Sequence, residues 1–173
     1  MRILSFDIST SPGVAVLEFK KGAPKMIAVD HIETKSSHTD AQRFIYVQSF
    51  VTSFVHENGV YDEIVREKFI RGGSKRSTQL VFGAWASVDR ALATYGYEIP
   101  DENEIVASTV KRLIAGKGNA EKDEVAEGVI RILGADSRKH FFTERGRLLD
   151  DRTDAAAIGL AWAMKNGLLK EGE

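Results

Sequence analysis

The sequence predicts an α/β fold: a mixed sheet of five strands flanked by helices. Two observations carry this. Three strand-like runs in the first 35 residues are joined by links too short for a crossover, which makes them antiparallel neighbours. Helix-period and strand-period segments then alternate, which adds the later strands parallel to the first.

The first strand covers residues 2–7, apolar at Ile3, Leu4 and Phe6, with Asp7 at its tip. Pro12 and Gly13 turn the chain, and residues 13–19 run back as the second strand. Lys20–Pro24 reads as a hairpin-like connection, and about 26–35 as the third strand. Thr39 or Asp40 caps a helix in which Phe44, Val47, Val51, Phe54 and Val55 recur at helical spacing. Gly59 ends it as a C-cap. Residues 62–67 form a fourth strand, reached by a helical crossover and therefore parallel to the first.

Residues 69–77, with Gly72 and Gly73, read as a mobile loop. A second helix spans about 78–95, with Leu80, Ala84, Val88, Ala91 and Tyr95 as its apolar stripe. Residues 104–107 make the fifth strand. Helices follow at about 108–115, 120–133 and 151–166, and the last turns Ala155, Ile158 and Trp162 inward. The basic stretch 134–147 reads as irregular. Residues 1–173 read as one domain, long enough for a real core. The order, βββαβαβ and then helices, is that of the ribonuclease H-like fold.

Composition narrows the function. The chain has no cysteine, so thiolate chemistry and disulfides are excluded. No apolar run is long enough for a membrane span and no signal-peptide pattern opens the chain, so a cytoplasmic protein is expected. The net charge is −1, but cations are segregated. Residues 66–76 carry +4, residues 111–122 carry +3 and residues 138–152 carry +2, which leaves −10 for the rest. Such segregation builds a local positive face on a nearly neutral protein.

Four acids stand out, and three of them, Glu67, Asp151 and Asp154, lie in or beside these runs. Asp7 tips the first strand and Glu67 the fourth, so parallel pairing brings both to one sheet edge. Asp151 and Asp154, three apart at the head of the last helix, share a face. The same spacing also suits helix capping, and Asp150 reads as a cap or a solvated acid. Glu67 has a competing use as an ion-pair partner of Arg66 or Lys68. Clustered carboxylates repel, and a divalent cation relieves that repulsion. Two ions held by three or four carboxylates suit phosphodiester hydrolysis, one activating water and the other steadying the leaving oxygen. No P-loop and no HExxH motif occurs, and His31, His38, His56 and His140 lack ligand spacing.

With these residues located, the chain resembles the RuvC family of Holliday-junction resolvases, in a phage-type form. The resemblance rests on Asp7, on Glu67 and on Asp151-Arg-Thr-Asp154-Ala-Ala-Ala157. It also rests on Lys111 and Lys122, which keep a family spacing of eleven. It departs where the family has Asp-Pro-Gly after the first acid, since this chain reads Asp7-Ile-Ser-Thr.

The resemblance implies a homodimeric endonuclease that cuts four-way junctions and other branched DNA. It would use two Mg²⁺ or Mn²⁺ ions and leave 5′-phosphate and 3′-hydroxyl ends. Asp7, Glu67, Asp151 and Asp154 would be the metal ligands, and Lys122 would be the catalytic cation, supported by Lys111. Lys68, Phe69, Ile70, Arg71, Lys75, Arg76, Lys111, Lys117 and Lys122 would line the DNA, with Phe69 or Ile70 opening the junction. The second helix, with Trp85, is the expected dimer seam. Two other readings stay open. The opening strand-turn-strand also looks like that of sugar-kinase and actin-like ATPases, and of the non-catalytic partner in tRNA threonylcarbamoylation. A non-cleaving binder of branched DNA is the other.

Overall fold

The computed structural model describes residues 1–69 and 73–170. It has the mixed five-stranded sheet of the ribonuclease H-like fold. The strands are β1 (Arg2–Asp7), β2 (Gly13–Lys20), β3 (Ala23–His31), β4 (Glu63–Glu67) and β5 (Glu104–Ile105). Their order in the sheet is β3-β2-β1-β4-β5. The first three pair antiparallel, and β4 joins β1, and β5 joins β4, in parallel. The helices are α1 (Asp40–Asn58), α2 (Lys75–Ala93), α3 (Ala107–Ala115), α4 (Lys122–Leu133), α5 (Arg138–Phe141) and α6 (Asp150–Lys165).

Alternation along the strands sorts side chains into two layers. Leu4, Phe6, Val14, Val16 and Ile64 face α1 and α2, against Val47, Val51, Ala84 and Val88. Ile3, Ala15, Leu17 and Val65 face α3, α4 and α6, against Ile114, Val129, Ile158 and Leu160. Ser5 lies on this second face and donates its hydroxyl to the Ala155 carbonyl at 2.7 Å.

Helix α6 is more enclosed than its stripe predicts. Ala155, Ile158 and Trp162 point inward as expected, but every residue from Ala155 to Met164 is buried. Small side chains allow this, because the helix lies close on the sheet with α3 and α4 on its other side. Gly159 meets Ser5 and Leu17, and a Cβ on Gly13 would run into the backbone carbonyl of Asp151.

Several boundaries differ from expectation. Lys21 and Gly22 both have positive φ, 54° and 82°, and form a tight two-residue turn. β3 therefore starts at Ala23, and Pro24 lies within it. That is tolerated because β3 is an edge strand. β3 also stops at His31, short of residue 35. Thr39, not Asp40, caps α1, through a capping box with Gln42. Helix α2 begins three residues early because Ser74 caps it, and Tyr95 falls outside it. Within 134–147 a short helix, α5, forms, and it buries Phe141 completely.

Replacing Gly13 with Ala should destabilise the protein by about 1–3 kcal/mol, since the obstacle is backbone that cannot rotate aside. Urea unfolding measures it, and an unchanged midpoint and slope would contradict the close approach.

Candidate active site

The four acids reach one edge for separable reasons. Asp7 continues the series Ile3, Ser5, and Glu67 follows Val65, so both face the α6 layer. Phe6 pairs with Arg66 across β1 and β4, which sets Asp7 and Glu67 at neighbouring strand ends. Asp151 and Asp154 come from the head of α6, which Gly13 and Ser5 hold against β1 and β2.

The electrostatics show convergence. The Asp7 carboxyl is pushed well above its usual value, first by burial, then by the charges of Asp154, Glu67 and Asp151, with Lys122 opposing. Glu67 is raised by burial and by Asp154, with Lys111 opposing. Asp151 is raised by burial and by Asp150. Asp154 is raised to about 6, by burial first, with Lys122 and Lys111 pulling the other way. Glu67 and Asp154 line one cleft of about 100 Å³ with Lys111, Lys122, Val110 and Val125. A wider cleft of about 600 Å³, lined by residues between Ala135 and Gly146, holds none of the four acids.

The competing uses fail on geometry. Asp151 is not the N-cap of α6. Leu149 is, and no side chain caps that end. Arg66 points to the opposite face, where it binds Glu104 at 2.7 Å and Asp89 at 3.3 Å, so it does not pair with Glu67. No three His, Asp or Glu side chains among the described residues form a closed ligand cage. The donor set is nonetheless hard oxygen that repels itself and is held out of water, which fits a hard divalent cation.

The expected cations divide. Lys111 and Lys122 reach the acid cleft. Lys122 is also ion-paired with Asp150, which keeps it protonated and holds Asp150 ionised. The Asp150 side chain is thus solvent-exposed but not spare: it is the partner of the expected catalytic lysine, a pairing across 28 residues that local pattern does not signal. Lys68 and Lys75 are exposed. Arg76 forks onto Asp40 with two bonds of 2.6 Å, and Lys117 pairs with Glu124 at 2.6 Å. Ile70 and Arg71 lie outside the described residues.

Phe69 packs edge-on against Phe82 and Trp85, at 5.4 and 6.3 Å between ring centroids. Trp85 is packed within the chain, with the Arg66 guanidinium 3.8 Å from its ring centre. Phe82 beside it is 51% exposed. His31 is not idle either, since its Nδ1 accepts a hydrogen bond from Arg152.

No family model matches the chain. The crossover junction endodeoxyribonuclease RuvC of Synechococcus sp. strain CC9605 is 29% identical, over 95% of this chain and all of that protein. The protein of the same name from Brachyspira hyodysenteriae strain ATCC 49526 / WA1 is 26% identical, over 92% of this chain and 91% of its own. Among solved structures, Thermus thermophilus RuvC in complex with a Holliday junction substrate superposes with a TM-score of 0.77 at 21% identity, covering 96% and 94% of the two chains.

The raised Asp154 has a pH signature. Its carboxyl binds a proton more tightly folded, at about 6, than in the unfolded chain, near 3.8. Stability without metal should therefore fall as pH rises between those values and stay low above them. Asp154→Asn removes the buried charge, and should stabilise the metal-free protein by about 1–3 kcal/mol at pH 8 and by almost nothing at pH 4. Denaturant unfolding in chelator at both pH values measures this, and an equal effect at both would contradict it.

Proposed function

We infer that this chain, a member of the RuvC family with the ribonuclease H-like fold, is a metal-dependent endonuclease that resolves four-way DNA junctions. The observation that supports it most is the convergence of Asp7, Glu67, Asp151 and Asp154, distant in sequence, on one partly desolvated edge. Likeness to RuvC proteins along nearly the whole chain agrees with it. The ATPase-like reading accounts only for the opening strand-turn-strand and leaves the paired acids of α6 without a use.

In this reading the four carboxylates hold Mg²⁺ or Mn²⁺, as two ions. Bound there, the metal supplies Lewis acidity and lowers the pKa of water for attack on phosphorus. The chain's own residues do the rest. Desolvation makes the carboxylates a site whose charge demands a cation. Lys111 and Lys122, on the cleft wall, bring positive charge to the scissile phosphate as negative charge builds on its oxygens. Lys122 must exchange its contact with Asp150 for one with phosphate, and a phosphodiester anion competes for the ammonium directly.

Lys68 and Lys75 would extend the contact along the DNA backbone, which positions the substrate without reading its bases. Phe69, two residues beyond Glu67, or Ile70 after it, would be the side chain that presses on the junction centre. A homodimer would place two such sites on a substrate of near two-fold symmetry. No helix among the described residues is long and apolar enough to cross a membrane.

The test sets mobile and fixed four-way junctions, forks, flaps and an RNA–DNA hybrid side by side with Mg²⁺ and with Mn²⁺. The four-way junctions should be cut fastest, and chelator should stop the reaction. Asp7→Asn should abolish cleavage and leave junction binding intact. Lys122→Ala should cost about 10²–10³-fold in kcat, the usual scale for one group that stabilises transition-state charge. Cleavage by Asp7→Asn at the wild-type rate would overturn the assignment.

A further inference from the structure

Arg152 lies in sequence between two of the proposed ligands, Asp151 and Asp154, yet its side chain leaves the acid cleft for the sheet edge. Its Nη2 donates to Asp30 Oδ1 at 2.6 Å, and its Nε donates to His31 Nδ1 at 2.9 Å. The same Asp30 oxygen accepts the backbone N–H of His31 at 2.9 Å. One carboxylate thus ties the end of β3 and the head of α6 together. The imidazole is also approached by Glu33, 3.8 Å from Nε2. The Arg152 side chain is only 26% exposed.

This contact stands at a helix end that has no side-chain cap, where the Lys122–Asp150 pair is the other tie. Leu149 occupies the N-cap of α6 and offers no side-chain acceptor, so the first turn has no capping bond to hold it. Gly13 abuts the backbone of Asp151 from one side. Gly13 is paired with His31 across β2 and β3, so the clamp and the close approach act on one point of the sheet.

We propose that Arg152, through Asp30 and His31, is a positioning residue that fixes the first turn of α6 so that Asp151 and Asp154 present their carboxylates to the shared cation site. The claim rests on the metal-dependent reading above. It requires arginine in particular. The planar guanidinium reaches a carboxylate and an imidazole at once from a fixed fork, which a lysine ammonium on a flexible stem does not match.

The experiment is calorimetric titration of MnCl₂ into the whole chain without DNA, for wild type, Arg152→Ala, Arg152→Lys and Asp30→Asn. Thermal unfolding and junction-cleavage kinetics are run alongside. Arg152→Ala should bind manganese about 10–100-fold more weakly, the usual cost of losing a group that orients a metal ligand. Asp30→Asn should weaken it in the same direction, and Arg152→Lys should recover part of the loss. In cleavage, kcat should fall while KM for the junction stays unchanged. Wild-type manganese affinity in Arg152→Ala and Asp30→Asn would overturn the proposal, whatever their thermal stability. If Arg152→Ala does not fold, Arg152→Lys and Asp30→Asn decide by the same criterion. If wild type itself takes up no manganese, the nuclease reading falls and this proposal with it, an outcome distinct from equal binding by wild type and variants.

Discussion

The molecule depends on forcing like charges together. Four carboxylates share one edge, and each of the three innermost is pushed toward its neutral form by burial and by its neighbours. That repulsion must be opposed by something rigid. The opposing element is α6, ten consecutive residues of which are fully enclosed between the sheet and the helices α3 and α4. Its alanines are small enough to bring the backbone onto β1, where Ser5 bonds the Ala155 carbonyl. Apolar packing along the helix therefore holds the strain at its head. Stability and site are built from opposite ends of one element.

The count of cations overstates the free positive field. Arg76 is spent on Asp40, Lys117 on Glu124, Arg138 on Glu127 and Arg152 on Asp30. Lys122 is held by Asp150. Among the described residues, the lysines nearest the acid edge without such a partner are Lys68 and Lys111, with Lys75 further along. A phosphate backbone would thus meet a short positive lip beside the acids, and a latent cation at Lys122 that another anion can claim.

How much could be read from the sequence follows from the range of the forces involved. Asp7 and Glu67 were legible because strand alternation and parallel pairing act on neighbours, and both are visible as pattern. Asp151 and Asp154 were legible as a pair, but not their freedom from capping, which turned on Leu149 taking the N-cap. The start of α2 was missed because Ser74 caps it from within a glycine-rich stretch that reads as loop. Helix α5 was missed because its anchor, Phe141, is buried by contacts far along the chain. The Lys122–Asp150 pair and the Arg152 clamp span 28 and about 120 residues, and no local pattern encodes them.

The end of β4 shows how one strand serves two tasks. Arg66 and Glu67 are adjacent, so pleating sends them to opposite layers. Glu67 enters the acid edge, while Arg66 lies under Trp85 and binds Glu104 and Asp89. Trp85 in turn packs on Phe69 and Phe82. The aromatic cluster and the acid site are therefore separated by the thickness of one sheet and joined by one peptide bond. Phe69 and Glu67 are separated by Lys68 alone, and Arg66, on the other side of Glu67, anchors the strand end. That anchor is buried and bonded to two carboxylates, so the side chain that closes the aromatic layer also fixes the backbone from which Glu67 projects into the acid edge.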